Sequence, residues 1–127
     1  MKIYCFGNEY VEGDGTAKAI TKDISIPYVE FVPADSPDAI MDEEGTIYIL
    51  DVVKDADDVM VIRDLERLRE RRLMSLHDFD LQFFLKLMKN IGKIDDVCIF
   101  GIPQQSNDNI KKRLKEEIVC VMRSRGD

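Results

Sequence analysis

The chain has no tryptophan, one histidine, four prolines and three cysteines. Three cysteines with no Cys-x-x-Cys pair make neither a closed disulfide framework nor a short zinc motif. Cys5, Cys98 and Cys120 are therefore expected as buried, reduced thiols. No apolar run approaches the ~20 residues that a membrane-spanning helix needs. Met1-Lys2-Ile3-Tyr4 enters a strand directly without a signal-peptide layout, so a cytoplasmic location is expected. Basic residues are outnumbered by acidic ones, 18 to 25, for a net charge of −7. That balance argues against general nucleic-acid binding, which draws on lysine and arginine to meet phosphate. One local exception is the group Arg63, Arg67, Arg69, Arg71 and Arg72, which is interleaved with Asp64, Glu66 and Glu70. It reads as a solvated, self-neutralised segment, or alternatively as a docking patch for an acidic partner.

What remains is an ordinary globular composition, 45% hydrophobic and 34% charged over 127 residues. Length and composition predict a single domain, residues 1–127, that buries roughly two thirds of its unfolded surface.

Apolar runs and breaker residues give the layout. Residues 2–7 form a continuous apolar run, as in a strand covered on both faces. Gly15 to Ile20 reads as a short helix opened by Asp14. Tyr28 to Val32 alternates like a strand after Pro27. Ser36 and Pro37 suit the cap and first position of another short helix. A strand is expected over 46–52 and another over 59–62, entered from Asp57-Asp58. From Asp78 the apolar positions Phe79, Leu81, Phe83, Phe84, Leu87, Met88 and Ile91 predict a helix stopped by Gly92. Val97 to Phe100 is a further strand, and a last helix over 108–122 presents Ile110, Leu114, Ile118 and Val121 on one face. Strands alternating with helices predict a three-layer α/β/α domain. Its central sheet is twisted and mostly parallel, with room for one antiparallel edge strand. No long unpaired apolar helix face is evident, so a monomer is expected.

Three ligand-type side chains stand where predicted strands run out. Asp14 lies in the loop after the first strand, Asp51 ends Thr46-Ile47-Tyr48-Ile49-Leu50, and His77 precedes the helix that begins near Asp78. Each has a bland reading: Asp14 as a helix cap, Asp51 as a turn residue, His77 as part of a helix-start network. Together they converge on one edge of an open parallel sheet, where such sheets bind ligands. Two carboxylates and an imidazole can share a metal while leaving positions free for water or substrate. Other chemistries lack their motifs. There is no Gly-x-Ser-x-Gly elbow, no Gly-x-Gly-x-x-Gly spacing and no Walker lysine, and no tightly bound organic cofactor is expected.

Phe6-Gly7-Asn8, Gly13-Asp14-Gly15, Ile49-Leu50-Asp51, Ser75-Leu76-His77 and Phe100-Gly101-Ile102-Pro103-Gln104 follow one another in this chain. In order and spacing they resemble the hydrogenase maturation proteases, endopeptidases that trim the C-terminal tail of nickel–iron hydrogenase large subunits. The resemblance implies a twisted α/β sheet flanked by helices. It also implies that Asp14, Asp51 and His77 act in catalysis by contacting nickel carried by the substrate, a large-subunit precursor. The chain departs from the family pattern in having Glu12-Gly13-Asp14 where two consecutive aspartates are usual, in having Ala17 at a family glycine, and in a shortened segment between Asp14 and Asp51.

Two other readings belong to different classes. A non-catalytic relative would bind a metal or a hydrogenase subunit without cutting. A response-regulator receiver would use Asp51 as phosphoacceptor, but it needs an acidic pair after its first strand, where Gly7-Asn8 stands. It also needs a lysine after its last strand, where this chain has Gly101-Ile102-Pro103-Gln104.

Overall fold

The computed structural model describes residues 1–6, 16–34, 37–53, 56–64 and 78–124. Their core is one five-stranded sheet built from β1 (Lys2–Phe6), β2 (Glu30–Ala34), β3 (Gly45–Val52), β4 (Met60–Ile62) and β5 (Ile94–Ile102). Spatial order is β2-β1-β3-β5-β4, parallel throughout except for β4, which runs antiparallel to β5 at one edge. Three helices cover it: α1 (Thr16–Ile20), α2 (Asp78–Asn90) and α3 (Asp108–Ser124). The expected α/β/α architecture and its antiparallel edge are both present.

Successive side chains on a strand point to opposite faces, and two apolar clusters follow that parity. Ile3, Cys5, Tyr48, Leu50, Val52, Cys98, Phe100 and Ile102 pack with Ala17 and Ile20 of α1 and with the buried stripe of α3. Tyr4, Phe6, Ile47, Ile49, Val53, Val97 and Ile99 pack with Leu85 and Met88 of α2 on the other face. β1, β3 and β5 are buried on both sides, which is why they read as unbroken apolar runs rather than alternating ones.

Helix ends follow local chemistry. Asn107 caps α3, its Oδ1 accepting from the Ile110 N–H at 2.8 Å, and Ile110, Leu114, Ile118 and Val121 are buried as predicted. α2 closes in a Schellman arrangement. The Lys93 N–H reaches the Met88 carbonyl at 3.0 Å and the Gly92 N–H reaches that of Lys89 at 3.1 Å, with Gly92 at φ 80. That left-handed conformation suits a residue without Cβ.

Four expectations change. The strand expected from Tyr28 begins at Glu30 instead, because Ile26 to Val29 form a turn closed by Val29 N–H to Ile26 O at 3.1 Å. Pro27 fixes the first central position, and Tyr28 takes the positive φ of 67 that the second position of a type II turn demands. The helix expected at Ser36 is a 3₁₀ turn, Pro37–Ile40. The apolar stripe of α2 is not all core: Leu85 and Met88 are buried, whereas Phe83, Leu87 and Ile91 are 67%, 45% and 64% exposed. Spaced at i, i+4 and i+8, those three form an outward apolar row, so an uncovered helix face does exist. Lastly, Cys5 and Cys98 are buried free thiols as expected, but Cys120 is exposed.

Candidate active site

Strand order locates the place where a site can form. From β1 the chain steps outward to β2 by way of α1, which packs on one face; from β3 it proceeds through α2, on the opposite face, to β5. The direction of winding reverses between β1 and β3, which are neighbours. Beyond the carboxyl ends of two such strands the connections diverge and leave a crevice, the topological switch point of an open α/β sheet. Asp51 lies near the carboxyl end of β3, and the connection carrying Asp14 begins directly after β1.

Asp51 is fully buried, and it pairs in register with Gly101 of the neighbouring β5. Its Oδ1 accepts from the Val52 N–H at 2.8 Å, which fixes the carboxylate against its own strand end. Parity places it on the same face as Ile47, Ile49 and Val53, the face that α2 covers. Gly101 is constrained from this side. A Cβ there would lie 2.5 Å from Val53 Cγ2 and 3.1 Å from Met60 Cγ. Glycine therefore lets β4 and the end of β3 close around β5 beside Asp51.

The other face of this edge is held by α1. Thr16 Oγ1 donates to the Gln104 carbonyl, tying the first residue of α1 to the chain just past β5. Ala17 and Ile20 are buried against the sheet, and so is Lys18, at 8% exposure. Among the described residues Lys18 and Asp51 are the two buried charged side chains. Both act on the Cys5 thiol. Burial pushes it up to about 12, the Lys18 ammonium opposes that rise, and the Asp51 carboxylate adds to it. In the sequence Lys18 gives only a faint signal, a single lysine flanked by Ala17, Ala19 and Ile20.

Asp14 and His77 lie outside the described residues. His77 immediately precedes Asp78, the first residue of α2. α2 hands the chain to the amino end of β5 through Gly92, so its first residue lies at the far end of a helix about 20 Å long. That end is directed toward the edge where Asp51 sits. Both Asp51 and the start of α2 belong to the same face of the sheet. Among the described residues no cluster of three metal-ligating side chains occurs, and no helix is long and apolar enough to cross a membrane.

The same fold occurs among solved structures. The hydrogenase maturating endopeptidase HybD from E. coli superposes with a TM-score of 0.67 at 16% identity, covering 99% of this chain and 94% of its own. An endopeptidase from Escherichia coli, solved in solution, gives 0.68 at 17% identity with the same coverage. A hydrogenase 2 maturation peptidase from a Thaumarchaeota archaeon gives 0.51 at 18% identity, covering 98% and 97%. No family model matches the chain, and no curated protein matches its sequence. The chain thus shares the fold of hydrogenase maturation endopeptidases from end to end.

Proposed function

We propose that this chain is a hydrogenase maturation endopeptidase. In this reading it removes the C-terminal tail of a nickel–iron hydrogenase large-subunit precursor once nickel has been inserted. The observation that carries the proposal is the buried Asp51, on a sheet that shares its fold with HybD over 99% of the chain. It flanks the switch point formed by β1 and β3.

Asp14, Asp51 and His77 contact the nickel that the precursor brings, so the metal belongs to the substrate and marks it as ready for trimming. An incomplete protein ligand set suits that task, since the metal stays partly held by its owner. Hydrolysis then needs little more from this chain. Nickel carried by the substrate would supply Lewis-acid polarisation of the scissile carbonyl for attack by water, and a carboxylate of this chain would take the water's proton and return one to the departing amine nitrogen. The encounter is transient, with a folded precursor in the cytoplasm.

The test is a comparison of nickel-loaded and nickel-free precursor, following tail length by mass. Only the loaded form should be trimmed. Asp14→Ala and His77→Ala should abolish trimming while leaving the unfolding transition in place. Retained wild-type cleavage in both variants would defeat the site assignment. Trimming of neither precursor by the wild-type chain would favour the non-catalytic relative, which the Glu12-Gly13-Asp14 departure brings into view.

A further inference from the structure

Among the described residues five large apolar side chains stand exposed, and four of them gather in one place. Phe83, Leu87 and Ile91 form the outward row of α2 and of the residue just past it, and Met41 lies at the far end of that row. The Lys93 ammonium donates to the Met41 carbonyl, which ties the turn after Pro37–Ile40 to the C-terminal end of α2. Ile40 is buried in the same cluster as Leu85 and Met88, so turn and helix pack together and present one surface. Contiguous exposed apolar surface of this kind marks a contact with another protein, whereas single scattered side chains do not.

The charges around the row bear on what covers it. β3 and β5 start side by side, with Gly45 in register with Ile94, so Glu44 and Lys93 are neighbours at the amino end of the sheet. Asp42 and Glu44 are exposed on the turn side of the row, and Lys89 is exposed on the helix side. An apolar strip bordered by one sign of charge would repel a copy of itself. A strip bordered by both signs can meet its own image about a two-fold axis, the basic border of each copy facing the acidic border of the other. We propose that this row is the contact by which two copies of the chain pair. Phe83, Leu87, Ile91 and Met41 form its centre, and Lys89 of each copy faces Asp42 and Glu44 of the other.

The pairing goes beyond the proposed function and does not rest on it. Four apolar side chains fall short of the roughly 800 Å² that each partner gives to a standard interface, so the association is weak and depends on concentration. The monomer expected from the sequence assumed that no apolar helix face lay open. The contact lies toward the amino end of the sheet, opposite to the edge where Asp51 sits, so pairing leaves that edge of each copy clear.

Sedimentation equilibrium of the full chain tests this directly. As loading rises roughly a hundredfold into the high micromolar range, the apparent mass should climb from that of one chain toward that of two. Phe83→Ser and Leu87→Ser should each weaken the association at least about tenfold, the loss that follows removal of one apolar anchor. Their unfolding midpoints at low concentration should stay close to the wild-type value. Lys89→Glu and Glu44→Lys should each self-associate more weakly than wild type, because like charges then face one another. Mixed in equal amounts, these two variants should associate more strongly than either alone, since every facing pair is again of opposite sign. A wild type that keeps the mass of one chain at the highest loading would overturn the proposal and leave the row to a different protein. Association that neither Phe83→Ser nor Leu87→Ser weakens would overturn it too, by placing the contact elsewhere. A mixture no more associated than its two parts would overturn the facing of Lys89 and Glu44.

Discussion

α3 lays Ile110, Leu114, Ile118 and Val121 onto one face of the sheet, whereas α2 sets Leu85 and Met88 fully onto the other with Phe84 half-buried. The outward sides differ still more. α3 turns charge to solvent and uses it locally: Lys111 meets Asp23 at 3.0 Å, and Arg113 meets Asp58 at 3.5 Å and Glu117 at 3.3 Å. α2 and the residue just past it turn out Phe83, Leu87 and Ile91, and from Gln82 to Asn90 the helix carries two lysines, Lys86 and Lys89, and no acidic residue. One helix is a finished outer layer of an acidic protein. The other carries more apolar surface than its own core requires, and it is the helix that His77 leads into. The two faces thus differ in what their covering helix presents to solvent.

The largest expected effects test whether the buried sides are equivalent. Leu114 and Leu85 are both fully buried, so Leu114→Ala and Leu85→Ala should each cost about 2–5 kcal/mol. The change should appear as a lower denaturant midpoint with an unchanged slope. A much smaller loss for Leu85→Ala would show that α2 is docked more loosely than α3.

An intermediate effect follows from pH. On the α1/α3 face burial pushes the Cys5 thiol up to about 12 and that of Cys98 to about 11. On the α2 face burial, with the hydrogen bond to Glu43, pushes the Tyr4 phenol up to about 12. Each fold-side value lies above the ordinary one, so the fold favours the protonated form. The resulting stability is complete below the ordinary values, 9.0 for the thiols and 10.0 for the phenol. It is lost as pH rises through the folded ones. Denaturant melts across this range should show stability falling between those limits. Tyr4→Phe should remove the share belonging to the α2 face and leave the thiol share. A flat profile would contradict the burial of all three groups.

The smallest expected effect is the sharpest for the comparison. Phe83→Ser is a drastic chemical change, yet on an outward row it should shift stability by no more than about 0.5 kcal/mol, read by the same denaturant melt. A loss as large as that of Leu85→Ala would mean that the row is covered rather than open.

Where the sequence spoke plainly, one physical signal dominated. The stripe of α3 stood out because its apolar positions are few and evenly spaced, and β1 and β3 because burial on both faces leaves no room for alternation. α2 was harder. Its apolar residues exceed one face, and the stripe expected from periodicity takes in Phe83 and Leu87, which turn outward, and leaves out Leu85, which is buried. Tyr28 concealed a turn because the positive φ there usually falls to glycine or asparagine. Asp51 was legible as a polar residue ending an apolar strand. Lys18 was not, since a lysine in a five-residue helix resembles any solvated lysine until the packing of α1 is known. Asp14 and His77 rest on the motif order and on the placement of the elements that flank them.

The sheet's two margins carry a consequence of their own. β2 is an edge strand that includes Pro33, a residue with no N–H to offer a newcomer, and β4 at the opposite edge is only three residues long. Asp51 sits on the central strand, with two strands on either side of it. Many peptide-binding proteins hold their ligand as one more strand along such a margin. Among the described residues neither margin adjoins Asp51, so under the proposed function no such rail would lie beside its chemistry. A substrate tail would then come down over the strand tips, delivered by the body from which it hangs, and that body, more than the tail's own residues, would decide what is cut.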